Sequence, residues 1–167
     1  YTLVREISTH YWIDLLMASI FVRRGIVDPG DIKFYLEDDL RFLHNPFLFS
    51  SLEDLIDRIY AAKEEEERVL VFGDRDVDGI TATVLLVSAL KELGVSVSWA
   101  LPTGNDPYGL TKQVVDRFHE GGGTLLITVD CGISNHEEIR YASEKGIDTI
   151  VIDHHNPQET LPEAVVI

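Results

Sequence analysis

Along the first third of the chain, apolar residues recur at helical spacing. Tyr11, Trp12, Leu15, Leu16, Ser19 and Ile20 fall on one side of a helix and predict a buried face there, and a second amphipathic stretch runs from Leu52 to about Glu67. Ser51 followed by Asp54 approximates a capping box for that second helix. Arg24-Gly25-Ile26-Val27-Asp28-Pro29-Gly30 and His44-Asn45-Pro46 are turn material between the helical stretches, and Glu64 to Glu67 reads as a solvated helix end. From Arg68 the pattern changes. Short apolar runs at Val69–Phe72, Val95–Leu101, Leu125–Val129 and Thr149–Ile152 alternate with helical periods at Gly79–Leu93, Thr111–His119 and Glu137–Lys145. That is the signature of a mostly parallel α/β sheet covered on both faces. The expected organisation is a helical N-terminal segment, residues 1–66, ahead of an α/β domain, residues 67–167.

Composition narrows this picture. A chain of 167 residues with 45% hydrophobic and 26% charged positions suits one globular domain with a small appendage. Lys and Arg number 14 against 29 Asp and Glu, a net charge of −15, which is the wrong sign for gripping phosphate backbones through counterion release alone. Any nucleic-acid role must rest on metal ions or on surfaces outside this chain. The lone cysteine, Cys131, rules out an internal disulfide framework and a multi-cysteine zinc site, and reads as a small packing residue. No apolar run reaches the roughly 18–20 residues of a membrane span, and no signal-peptide pattern opens the sequence, so the expectation is a cytoplasmic protein without a membrane partner. Tyr1 in place of Met, and the apolar run Ala164-Val165-Val166-Ile167 at the other end, suggest a piece of a longer protein.

The chemistry sits after the strands. Asp74, Asp76 and Asp78 follow the first strand, Asp130 the third, and Asp153-His154-His155 the fourth. In open parallel sheets the ligand crevice lies outside those same strand ends. Carboxylates that converge repel one another unless cations neutralise them, and five acids with two imidazoles suit hard or borderline divalent ions, Mn²⁺ or Mg²⁺. Two such ions about 3.5–4 Å apart could activate water and hold a phosphate for in-line attack. The Asp74-x-Asp76-x-Asp78-Gly79 spacing also opens an EF-hand loop, but Leu85 stands where that loop needs a bidentate Glu, and the motif follows a strand. A haloacid-dehalogenase-type phosphatase would account for Asp74 and Asp76 but not for a later Asp-His-His. Adjacent residues leaving a strand point in different directions, so His154 and His155 are not expected to share one metal.

Val71-Phe72-Gly73-Asp74-Arg75-Asp76-Val77-Asp78-Gly79, Thr128-Val129-Asp130-Cys131-Gly132-Ile133-Ser134 and Asp153-His154-His155, in that order, resemble the three leading motifs of the DHH phosphoesterase family, and more closely its RecJ branch of single-strand-specific 5′-to-3′ DNA exonucleases. Tyr108-Gly109-Leu110, Leu161-Pro162-Glu163-Ala164, Arg24-Gly25-Ile26 and His44-Asn45-Pro46-Phe47 extend the resemblance over nearly the whole chain. It implies a Rossmann-like DHH domain with two divalent ions, Mn²⁺ or Mg²⁺. Asp76, Asp78, Asp130 and His154 are the implied catalytic ligands with Asp74 close by, His155 meets the scissile phosphate, and Asp153 orients a histidine. It also implies single-stranded DNA as substrate, a place in DNA repair and recombination, and single-strand-binding or replication proteins as partners. Two departures stand out. The chain stops before the family's further ligating motif and its second domain. Arg75 occupies a position that is more often aromatic in the branch, while the segment Pro102–Pro107 lacks the branch's usual Arg, which makes Arg75 a second candidate for a phosphate contact. The alternatives left open are a phosphodiesterase of short oligonucleotides or cyclic dinucleotides and a catalytically silent replication scaffold.

Overall fold

The computed structural model describes residues 1–166, so the last position of the terminal apolar run, Ile167, lies outside the described residues. The chain divides into two compact units, Tyr1–Leu48 and Phe49–Ile167. The first holds helices α1 (Thr2–Tyr11), α2 (Leu15–Arg23) and α3 (Pro29–Leu36), followed by single 3-10 turns at Leu40–Phe42 and Pro46–Leu48. Its core is Ile7, Ala18, Phe21 and Ile32. The buried face expected through Trp12, Leu16 and Ile20 does not form, since Trp12 is 94% exposed and Leu16 72%. Trp12 caps α1 in a left-handed conformation (φ 56°), and Asp14 starts a new helix by accepting from the Met17 N–H at 2.8 Å. The residues on either side of the break therefore do not share one helical surface, and the period that links them in sequence has no counterpart in space.

The second unit is the α/β body: α4 (Leu52–Glu64), β1 (Arg68–Gly73), α5 (Val77–Glu92), β2 (Ser96–Ala100), α6 (Lys112–Glu120), β3 (Leu125–Val129), α7 (His136–Glu144) and β4 (Asp148–Ile152). The sheet order is β2-β1-β3-β4 with every pairing parallel, and Val71 stands level with Trp99 on one side and Ile127 on the other. Val166 adds a parallel bridge to Ile150 at the outer edge of β4. The sequence assigned all four strands and their intervening helices within a residue or two. β3 is buried at every position, as a central parallel strand covered on both faces should be. Alternation splits β1, so that Val69 and Val71 pack with Ile59 and Ala62 of α4 and Val87 and Leu90 of α5, while Leu70 and Phe72 pack with Val115 of α6 and Ile139 and Ala142 of α7. The first strand begins at Arg68, where the sequence pattern changes, yet α4 groups with the sheet because its apolar face completes this first core layer.

Two sequence-level details change on folding. Ser51 precedes α4 without a side-chain capping bond. Glu67 leaves its acidic run for a half-buried site, where the guanidinium of Arg58 meets both carboxylate oxygens at 2.8 and 3.0 Å and also reaches Asp148 at 2.9 Å. This cluster ties α4 to the starts of β1 and β4, at the end of the sheet opposite the acidic motifs.

Candidate metal centre

The strand order dictates where a site can form. From β1 the chain crosses outward to β2, and from β3 it crosses the other way to β4, so the ends of β1 and β3 diverge and leave a crevice between them. Asp74 and Asp76 leave β1 at that point and Asp130 leaves β3. Asp76 is the N-cap of α5 and accepts from the Gly79 N–H at 3.0 Å. Gly79 is required there, because a β-carbon on it would sit 2.5 to 2.7 Å from the backbone O, N and C of Asp74. Close approach of the helix start to the strand end is therefore built into the Asp-Gly pair.

Asp130 is buried and adopts φ 58°, a left-handed conformation that Asp tolerates better than most residues. Its backbone N–H donates to the Ile152 carbonyl at 2.9 Å, which binds the end of β3 to the end of β4. His154 Nε2 lies 3.0 Å from Asp130 Oδ1. Burial, and then the negative charge of Asp76, push the Asp130 carboxyl above its ordinary range against the opposing hydrogen bond from His154. Ligand atoms of Asp130, His154 and His155 all lie within 4.8 Å of one another. The two histidine rings face the same cleft, 4.7 Å apart, contrary to the strand-alternation argument. That argument ends at Ile152, because residues 153–155 have left the strand and wrap around the Asp153 carboxylate.

Asp153 anchors this turn. Its Oδ2 accepts from the Ile133 N–H at 3.0 Å, and its Oδ1 accepts from the His155 N–H at 3.1 Å and lies 2.7 Å from His155 Nδ1. Burial would raise its pKa, but these hydrogen bonds outweigh burial and hold the carboxyl below the usual range, while the hydrogen bond to Asp153 raises the His155 imidazole. Asp76 and Asp78, both exposed, lie outside the close trio; Asp78 sits in the first turn of α5. Asp74 is buried, and its Oδ1 has no hydrogen-bond partner among the described residues. Asp74 is not among the residues whose ligand atoms gather within 4.8 Å, so it joins Asp76 and Asp78 outside the trio; the oxygen and nitrogen donors of Asp130, His154 and His155 suit Mn²⁺ or Mg²⁺ better than a soft metal.

Arg75 does not hang free. Its Nη1 donates to the Gly104 carbonyl at 3.0 Å and its Nη2 to the Asp106 carbonyl at 2.9 Å. Tyr108 stands edge-on to His155 with ring centroids 6.2 Å apart, and its hydroxyl reaches the Asp130 carbonyl at 3.5 Å. Burial, and then the surrounding acids, push the Tyr108 phenol up to about 12, so it remains a donor. Asn135 braces the same segment through both backbone groups of Leu110, each at 3.2 Å. The motif pattern assigned no role to Tyr108 or Asn135; the Pro-Tyr-Gly-Leu turn and the Asn ahead of α7 are the only local signals. Cys131 is fully buried, and burial drives its thiol far up.

The model of the DHH family, N-terminal domain, matches residues 68–167, which covers all three acidic motifs. The chain belongs to the DHH family. It is 43% identical over 154 residues to the single-stranded-DNA-specific exonuclease RecJ of Escherichia coli K12, covering 91% of this chain and 26% of that protein. It is 32% identical over 161 residues to the same enzyme of Bacillus subtilis 168, covering 96% of this chain and 20% of the relative. Among solved structures it is similar to RecJ in complex with Mn²⁺ from Thermus thermophilus, with TM-score 0.66, 31% identity, and coverage of 99% of this chain and 23% of that one. The chain thus spans about a quarter or less of the length of the curated relatives it matches. Within the matched region, Asp153 holds His155 through Nδ1, and the ligand atoms of His154 and His155 lie within 4.8 Å of that of Asp130.

Proposed function

We propose that this chain carries the metal-binding part of a RecJ-like exonuclease that removes nucleotides from single-stranded DNA in the 5′-to-3′ direction by hydrolysing phosphodiesters. The observation that carries the reading is the Asp130, His154 and His155 set, whose ligand atoms gather within 4.8 Å at the C-terminal ends of β3 and β4. The similarity to relatives named as single-stranded-DNA-specific exonucleases, and to a RecJ solved with Mn²⁺, supports the substrate and the metal. Asp76, Asp78, Asp130 and His154, with Asp74, are the residues that would hold two divalent ions, Mn²⁺ or Mg²⁺. Ions so held would supply an activated water and neutralise charge that develops on the phosphate.

The chain's own residues do the rest. Asp130 supplies a carboxylate to the centre of the crevice and fixes the His154 ring. Asp153 holds His155 through Nδ1–H and favours the protonated ring, the form in which Nε2–H also donates and can meet a non-bridging phosphate oxygen. The −15 charge supports a reading in which strand grip comes from basic and stacking surfaces outside this chain. Action in the cytoplasm, in DNA repair and recombination alongside single-strand-binding or replication proteins, belongs to the same reading. The structure itself has no helix among the described residues long and apolar enough to cross a membrane.

The test uses the full-length protein on 5′- and 3′-end-labelled single-stranded DNA and on a matching duplex. Chelation should stop digestion, Mn²⁺ should restore it, and label should leave the 5′ end first. Asp130→Asn should abolish turnover, a loss of at least about 10²-fold, while strand binding persists. Digestion that survives chelation, or activity confined to dinucleotides, would overturn the reading, as would a metal-loaded wild-type protein that binds strands without cutting them.

A further inference from the structure

Arg75 lies between two acids of the first motif, yet its guanidinium reaches 29 and 31 residues along the chain to the Gly104 and Asp106 carbonyls. The segment it holds is a small closed turn. Asp106 accepts from the Thr103 N–H at 2.8 Å and from the Thr103 hydroxyl at 3.1 Å, and its own N–H donates to the Thr103 carbonyl at 3.0 Å. Residues 103–107 are exposed, and among the described residues the two bonds from Arg75 are the only hydrogen bonds that join them to the rest of the chain. Directly after the turn comes Tyr108, with its ring edge against His155 and its hydroxyl at the Asp130 carbonyl. Beyond it, Gly109 (φ 79°) lies so close to Asn135 that a β-carbon would meet Oδ1 at 2.6 Å, and Leu110 is buried. The far side of Tyr108 is thus fixed by Asn135, and the near side by Arg75.

We propose that Arg75 is a positioning residue, a latch on the 103–106 turn that seats Tyr108 against His155 and the end of β3. Its relevance to catalysis rests on the phosphodiesterase reading above; its effect on the loop does not. The guanidinium meets the two carbonyls from two separate nitrogens held in a rigid fork, whereas a lysine would have to reach both from one ammonium nitrogen on a flexible stem. A residue acting only by charge on substrate phosphate would tolerate Lys in full, and a latch only in part.

The experiment compares full-length wild type with Arg75→Gln and Arg75→Lys. Amide hydrogen exchange of the peptide spanning residues 103–110 is read without metal or DNA, and kcat and KM on single-stranded DNA are read separately. The latch predicts exchange about tenfold faster in Arg75→Gln, the scale of losing charge-assisted hydrogen bonds at an exposed site, with Arg75→Lys in between and protection of β1 and β3 unchanged. It predicts a fall in kcat of about tenfold with KM within about twofold. Unchanged exchange over 103–110 would overturn the latch. Faster exchange with normal kcat, or a rise confined to KM that Lys repairs, would overturn the positioning role. Should the wild-type protein prove not to be a nuclease, the exchange result still decides whether Arg75 latches the turn.

Discussion

Replacing Gly79 by alanine tests whether the first motif is built on close approach of a helix to a strand end. In an unobstructed helix, Gly→Ala stabilises by about 1 kcal/mol. Here the new methyl would stand 2.5 Å from the Asp74 carbonyl oxygen, 2.6 Å from its nitrogen and 2.7 Å from its carbonyl carbon. Ordinary carbon contacts lie at about 3.5–4.0 Å, so helix and strand end must separate by about 1 Å. Neither side yields cheaply. Asp74 and Gly79 are buried, Asp76 holds the Gly79 N–H, and the Thr83 hydroxyl donates to the Gly79 carbonyl at 2.7 Å. Overpacking against fixed groups costs about 3 kcal/mol at its upper end, which leaves a net loss of about 2 kcal/mol after the helix gain is subtracted. For a body of this size that corresponds to a fall in Tm of about 4–10 °C. Scanning calorimetry of wild type, Gly79→Ala and Ser88→Ala, an exposed position in the same helix, provides the comparison. A Gly79→Ala protein as stable as wild type, or more stable, would refute the close approach and with it the N-cap geometry that holds Asp76 at the end of β1.

The Arg58 hydrogen bond, with help from Thr124, holds the Glu67 carboxyl below its ordinary value of 4.5 despite burial. A depressed carboxylate stabilises the fold fully above that value, and the contribution drains away as pH falls through and below it. Glu67→Gln should accordingly cost about 2 kcal/mol at pH 7 and flatten the stability profile between pH 5 and about 3, read from urea midpoints; parallel wild-type and variant profiles would contradict this. Cys131, buried with its thiol pKa raised, should resist iodoacetamide at pH 8 until the protein unfolds, and labelling of native protein within minutes would contradict its burial. Asp153→Asn in the full-length protein should lower kcat by about 10–100-fold with the fold intact, since it loosens His155 from outside the crevice; normal turnover would remove Asp153 from the site's support.

The α/β body was legible because its strands are short apolar runs punctuated by turn residues, and because all the acids of interest follow those runs. The front segment was legible as helical but its buried face was not, because a single left-handed residue, Trp12, breaks a periodicity that continues in the sequence. Glu67 likewise sits in a run of four acids, and only the distant Arg58 separates it from its neighbours. Within the site, the motif residues came from the strand ends, while the Arg75 bonds, the Tyr108 contact and the shared orientation of His154 and His155 depend on loops that meet only after the sheet has assembled. No local pattern encodes which carbonyl an arginine will find about thirty residues away.

The central claim is that the carboxylates and imidazoles at the ends of β1, β3 and β4 form one divalent-metal centre. The most direct measurement is an anomalous difference map from crystals of the full-length protein soaked in Mn²⁺, alongside the same soak of Asp130→Asn. The account predicts density within coordination distance, about 2.0–2.4 Å, of Asp130 and His154 in the wild type and its loss or displacement in the variant. Strong Mn²⁺ density elsewhere with none at this crevice, or density that the variant leaves unchanged, would contradict it.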